Sequence, residues 1–322
     1  MKWVHRFLNH FVWYRYFVEW TKTVYLPGFR PLPLHTVSVF FFREIQQESL
    51  ANKASTLAFN FMLALFPATI FLFTLIPYIP VSHFQDNLLQ LLKVILPNNT
   101  YTAASGTLSD MVKHQNGKLL SFGFISALYF AANGVYTLMR AFNKSSLIIE
   151  TRSWLKRRSV SLLLTVMISF AFMMAISVLI AGLRLLKFFK SKVYSHGSFW
   201  AVLVTMSRWL VVVAIFYVTV SILYRYGPAH KRRWKFSSPG SLLATTLAVI
   251  TSLGFSYYIN HFSSYNKIYG SIGTLIVMML WLYLNSFIIL IGFELNASID
   301  LSKRSVKVIK PKTNAFRTTD EN

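Results

Sequence analysis

Apolar residues run on for about a membrane's thickness at six places in the chain. The clearest lies within YNKIYGSIGTLIVMMLWLYLNSFIILIGFELNA, residues 265–297, whose interior, 272–293, carries no charge over 22 residues. As a helix rising about 1.5 Å per residue it crosses a hydrocarbon layer roughly 30 Å thick. The others are 54–76, 119–142, 159–183, 200–224 and 239–258. Asn60 and Pro67 interrupt the first, and Pro67 removes the bond to the carbonyl near Leu63, so a kink is expected there. The fourth carries Arg208 in its early turns, and the fifth opens on Pro239, a favourable first helical position.

Spacing predicts how these helices meet. Gly123, Ala127 and Ala131 in the second span, and Gly240, Ala244 and Ala248 in the fifth, recur every four residues and form small faces that permit close helix approach. Val37, Phe40, Phe41 and Ile45 oppose Arg43, Glu44, Gln47 and Glu48, which predicts a surface helix leading into the membrane. Residues 81–96 show the same amphipathic character, with Leu88, Leu91, Leu92 and Ile95 on one side. Residues 1–34 mix Trp3, Trp13 and Trp20 with Arg6, Arg15, Lys22 and Arg30, a composition suited to the membrane interface rather than to a cleaved leader. The fold class is therefore all-α: a six-helix polytopic bundle with interfacial helices. It divides into an interfacial segment (1–53), the bundle (54–297) and a basic, disordered tail (298–322).

Composition agrees with a membrane protein, at 54% hydrophobic and 13% charged residues. The net charge of +23 changes meaning once it is placed along the chain. The N-terminal segment, the second-to-third and fourth-to-fifth connections and the tail hold 24 of the 33 Lys and Arg, and the other three connections hold 8. Six spans put both termini on one side, and the positive-inside rule makes that side cytoplasmic. The third-to-fourth connection, with Arg184, Lys187, Lys190 and Lys192, fits least well, through either snorkelling or a misplaced boundary. Charge explained by topology removes the main support for a nucleic-acid partner. The absence of cysteine excludes disulfides and thiolate chemistry.

The orientation places Asn60, Asn133, Arg140, Glu294 and Asn296 toward the cytoplasmic side, where they could form one cluster. Glu294 is the only acid in or bordering a span; it either reaches cytoplasmic water beside the basic loops or pairs with a cation, Arg140 first and Lys144 or Arg225 as competitors, in a structural or a proton- or substrate-coupled role. On the outer side Tyr258, Asn260, Tyr265, Asn266 and Tyr269 gather hydrogen-bonding groups, by an aromatic belt alone or as headgroup or ligand contacts. Lys231, Arg232, Arg233 and Lys235, with Trp234 among them, are expected to meet anionic lipid of the inner leaflet. No two-His helical pair, Gly-rich phosphate loop or carboxylate cluster is visible, so no metal, cofactor or catalytic residue is assigned.

The blocks LAFNFMLALFPATIFLFTLIPYIP, YGPAHKRRWKFSSPGSLLA and FSYYINHFSSYNKIYGSIGTLIVMMLWLYLNSFIILIGFELNA stand in one order. In this the chain resembles, over about residues 36–300, the YihY/BrkB family of bacterial inner-membrane proteins, also labelled ribonuclease BN-like. The resemblance implies six helices with cytoplasmic ends. It also brings a ribonuclease label and a virulence association, neither of which marks a residue here. The sequence reads as a non-enzymatic inner-membrane protein that moves or organises a lipid or other amphipathic solute. Its partners would be membrane lipids, with self-association left open. A scaffolding protein and a membrane-bound ribonuclease are the rivals.

Overall fold

In the computed structural model, helices follow one another in the order α1 (Val12–Thr23), α2 (Leu34–Gln47), α3 (Leu50–Leu75), α4 (Asn98–Lys113) and α5 (Gly117–Ser145). They continue with α6 (Trp154–Lys192), α7 (Gly197–Tyr226), α8 (Pro239–His261) and α9 (Ser264–Ile309). The structure describes residues 12–24, 32–47, 50–78, 98–145, 150–192, 197–229, 234–261 and 264–309, with short pieces between 85 and 93. Among these there is no strand. Six helices, α3 and α5 to α9, are long and apolar enough to cross a membrane, matching the six runs of the sequence.

The ends of these helices follow local chemistry. Asn116 caps α5 by accepting the Leu119 amide at 3.0 Å, and Ser238 caps α8 by accepting that of Ser241 at 3.2 Å. α3 runs through Pro67 to Leu75 and ends in a 3₁₀ turn, Ile76–Tyr78. α6 does not stop near residue 183 but continues to Lys192, 39 residues in all. At about 1.5 Å per residue that is roughly 58 Å, well beyond a bilayer's apolar core. The four basic residues that strained the charge count thus belong to a helical extension of α6. α9 is longer still, 46 residues, and the boundary drawn at Ala297 falls inside it. α4, built on the polar sequence NNTYTAASGTLSDMVK, is a helix the pattern did not announce. The amphipathic stretch 81–96 lies largely outside the described residues, though positions 85, 86, 89, 90 and 93 are helical.

Close packing concentrates at one end of the bundle, where α3, α6 and α8 begin and α5 and α7 finish. Lys53, Lys144, Arg157 and Arg225 gather there and make it the basic end. Its core holds Leu57, Met139, Phe142, Leu164, Val220, Tyr224, Leu290 and Phe293, all nearly inaccessible. Phe142 and Phe293 stack with centroids 4.0 Å apart, and Tyr224 meets both rings edge-on at 5.6 Å. The Tyr224 hydroxyl donates to the Ile289 carbonyl at 2.6 Å. Toward the far end, large side chains such as Leu72, Phe122, Ile125, Leu210, Leu253 and Leu275 are exposed on the bundle surface, as lipid-facing residues should be.

Small residues set the helix separations. A Cβ on Gly292 would come within 2.5 Å of the Gly240 carbonyl and of the Tyr224 hydroxyl, and one on Gly240 would strike the Gly292 carbonyl, so α8 and α9 touch backbone to backbone. Ala244 and Ala248 continue this buried face. Gly123 lies against the backbone of Phe71, its virtual Cβ 3.0 Å from that amide nitrogen, and brings α5 onto α3. In the far half, the Arg208 chain folds over Gly182, whose added Cβ would be 2.6 Å from Arg208 Cδ. Outside the bundle, Leu32 and Val37 pack with Ile299, so α2 lies on the extension of α9. α1 turns Trp13, Tyr16 and Trp20 outward, and Trp13 is 89% exposed.

Candidate functional site

A polar seam joins α3 to α5. On α5, Asn133, Thr137, Arg140 and Lys144 recur at steps of four, three and four and share one face. On α3, Lys53, Thr56 and Asn60 do the same at steps of three and four. Asn133 donates its amide to Asn60 Oδ1 at 2.8 Å, and Asn60 donates its own to the Thr56 carbonyl at 2.8 Å. Arg158 of α6 approaches Asn133 Oδ1 at 3.4 Å and lies over the rings of Tyr129 and Tyr136, at 5.1 and 5.6 Å. The guanidinium is thereby held between two π faces and an amide oxygen. Beside the amide pair, a Cβ on Gly134 would sit 2.8 Å from the Phe61 ring, so the two helices are close where they exchange this bond.

Toward the basic end the seam opens into a polar pocket of about 490 Å³, whose wall carries Lys53, Arg140, Lys144, Arg157 and Glu150. Glu150 is drawn aside. Arg152 grips both its carboxylate oxygens, Nε to Oε1 and Nη2 to Oε2, each at 2.8 Å, while Asn143 donates to Oε2 at 2.7 Å. Burial pushes the Glu150 carboxyl up, but the hydrogen bonds and charge of Arg152, with the bond from Asn143, outweigh it and hold the group below its usual value. The same groups reach the α7–α8 connection: Arg152 Nη2 donates to the Gly227 carbonyl at 3.0 Å, and Asn143 Oδ1 accepts the Ala229 amide at 2.8 Å.

Of the five residues placed toward one face by sequence, the structure brings Asn60 and Asn133 into contact. Arg140 lines the pocket on the same face of α5 and makes no ion pair among the described residues, with Glu294 or any other acid. Glu294 is fully buried. Asn296 acts elsewhere. Its Oδ1 accepts the Gly240 amide at 2.8 Å and its Nδ2 donates to Ser238 Oγ at 2.9 Å, so α9 ties down the start of α8. Tyr258 is exposed beside Phe255, with centroids 6.5 Å apart. The side chains of Asn260, Tyr265, Asn266 and Tyr269, and all of Lys231, Arg232 and Arg233, lie outside the described residues. Lys235 is exposed. Among the described residues no three His, Asp or Glu side chains come together as metal ligands would.

Pattern reading passed over Asn143, Glu150 and Arg152. The signal available was one acid, Glu150, two residues from Arg152 within a basic connection. A second cavity, about 550 Å³ and almost wholly apolar, lies between α5, α6 and α7. Phe61, Val135, Leu138, Phe172 and Phe216 are among its walls, with Thr165 and Thr219 as rare polar groups.

Six apolar helices, closely packed at one end and carrying a polar seam between α3 and α5, define a multi-pass α-helical membrane protein. The chain belongs to the BrkB family: the family model described as virulence factor BrkB matches residues 41–316. At 33% identity over 253 residues it is similar to the ribonuclease-like protein YfkH of Bacillus subtilis (strain 168), a match covering 79% of this chain and 91% of that protein. It is 25% identical over 261 residues to a UPF0761 membrane protein of Stenotrophomonas maltophilia (strain K279a). A UPF0761 membrane protein of Xanthomonas campestris pv. campestris (strain B100) is 25% identical over 267 residues. Each of these two matches covers 81% of this chain and 60% of the longer relative. No solved structure matches the chain.

Proposed function

We propose that this protein carries or organises an amphipathic membrane solute, a lipid above all, along the α3–α5 seam, without acting as an enzyme. The observation that carries this reading is the pairing of two environments on α5. One face presents Asn133, Thr137, Arg140 and Lys144, while Val135 and Leu138 on the other line the apolar cavity. Polar groups in an apolar span are expensive to keep, and a run of them beginning at mid-span offers a headgroup a path that bare lipid does not. The apolar cavity, within the size range of small-molecule pockets, offers room for hydrocarbon. The family membership and the UPF0761 relatives support a membrane role without naming a solute.

The reading places the protein in a bacterial inner membrane with both termini cytoplasmic, which makes the basic end the inner one and sets Lys235 and the neighbouring basic loop against anionic lipid. The test is movement of fluorescent phospholipid between leaflets of liposomes containing the purified protein. Transfer above empty liposomes, reduced by Asn133→Leu, is expected. Transfer equal to that of empty liposomes, by protein shown to be folded, would remove this reading and leave scaffolding ahead. The name of the Bacillus subtilis relative favours a second reading, RNA cleavage, which labelled RNA incubated with the purified protein and a divalent cation tests directly.

A further inference from the structure

We propose that the polar pocket at the basic end is a binding site for a phosphate-bearing anion. Four cationic side chains, Lys53, Arg140, Lys144 and Arg157, converge on one space of about 490 Å³. They come from three helices, so the convergence is built by the tertiary fold and is no accident of one basic run. The single acid among the described residues of the wall, Glu150, is held by Arg152, which is not part of the wall, and is therefore unavailable to neutralise Arg140, Lys144 and Arg157. Arg140, Lys144 and Arg157 make no ion pair among the described residues.

The strongest pointer is Arg157. Its Nε is buried and has no hydrogen-bond partner. Buried donors are almost always satisfied, and a buried Nε without a protein acceptor leaves this guanidinium under-satisfied, so an anion in the pocket that accepts from its other N–H groups would gain more than at a solvated arginine. A guanidinium matches phosphate oxygens in shape, and ammonium groups add charge from other directions. Repulsion among Arg140, Lys144 and Arg157, which share a partly enclosed space, is relieved by a multiply acceptor-rich anion more than by chloride. The shared chemistry is a phosphate monoester or diester. It could arrive as a lipid headgroup at the membrane surface or as a soluble phosphate. The site's existence stands on this geometry; its part in moving a solute rests on the function proposed above.

The experiment uses the full chain in a neutral detergent and follows thermal unfolding at constant ionic strength. Its arms are sodium chloride, inorganic phosphate, dioctanoyl phosphatidylglycerol and dioctanoyl phosphatidylcholine. Phosphate or phosphatidylglycerol is expected to raise the midpoint in a saturable way that chloride does not match. A response to inorganic phosphate alone identifies a soluble ligand; a response to phosphatidylglycerol at lower concentration identifies a headgroup. Arg157→Gln should weaken the effective ligand about tenfold or more, the scale of one charge-assisted hydrogen bond lost. Arg157→Lys should recover part of this, and Arg140→Gln, at an exposed position, tests the site without disturbing the core. Lys118→Gln, exposed at the far end, should change nothing. The site is refuted if no phosphate compound exceeds chloride, or if Lys118→Gln weakens binding as much as the pocket variants. Binding with no leaflet transfer would sink the transport reading alone, whereas transfer with no binding would sink this one alone.

Discussion

Gly240 and Gly292 show how little room one atom has at the α8–α9 crossing. Gly292→Ala would drive a methyl group into the Gly240 carbonyl and the Tyr224 hydroxyl, and overpacking of this kind costs about 1–3 kcal/mol. Gly254→Ala, with nothing within 4 Å of its added carbon, should be neutral or slightly stabilising. Thermal unfolding of the two variants side by side checks the contrast. Asn296→Ala removes both bonds by which α9 ties down the α8 start, and should lower stability by about 1–2 kcal/mol. Glu150 predicts a pH dependence. Its carboxyl lies lower in the folded chain than in the unfolded one, so the unfolded state binds more protons as acid is added. The stabilisation is complete above the unfolded value of about 4.3 and is lost as pH falls through the lower folded value. The difference in unfolding midpoint between the parent and Glu150→Gln should therefore shrink on acidification below that range. Depth along a helix could be read from sequence, which is why Asn60 and Asn133 were placed at one level. Which way each residue faces around the bundle could not, and Asn296, placed toward the same side, serves another helix by binding the start of α8.

At the scale of the element, the spans were visible because twenty or so apolar residues leave no alternative. Their continuations were not. Beyond the hydrocarbon layer a helix is held by partners, and hydropathy is silent about partners. α6 continues as a mixture of Leu, Phe and Lys, and α9 continues because Ile299 packs with Leu32 and Val37. α4 is polar almost throughout and gave no periodic signal. Truncation after Ala297 should therefore do more than shorten a tail. It removes Ile299 from the packing of Leu32 and Val37, so protease should cut between α2 and α3 faster than in the parent; unchanged cleavage would show that α2 is held by other means.

For the molecule as a whole, charge asymmetry predicts an orientation, and labelling can test it without background, since the chain has no cysteine. Single cysteines at Thr107, Ser237 and Ser264 should report the first and third outside and Ser237 inside when labelled in intact cells. The opposite labelling would invert every statement about which leaflet the pocket serves. The bundle's uneven packing has its own consequence. The Phe142, Tyr224 and Phe293 rivet fastens α5, α7 and α9 at the basic end, while Gly123 against Phe71 and Gly182 under Arg208 clasp α5 to α3 and α6 to α7 in the far half. Any parting of the far half would then fall between those clasped pairs, α3 with α5 and α6 with α7, and not within them.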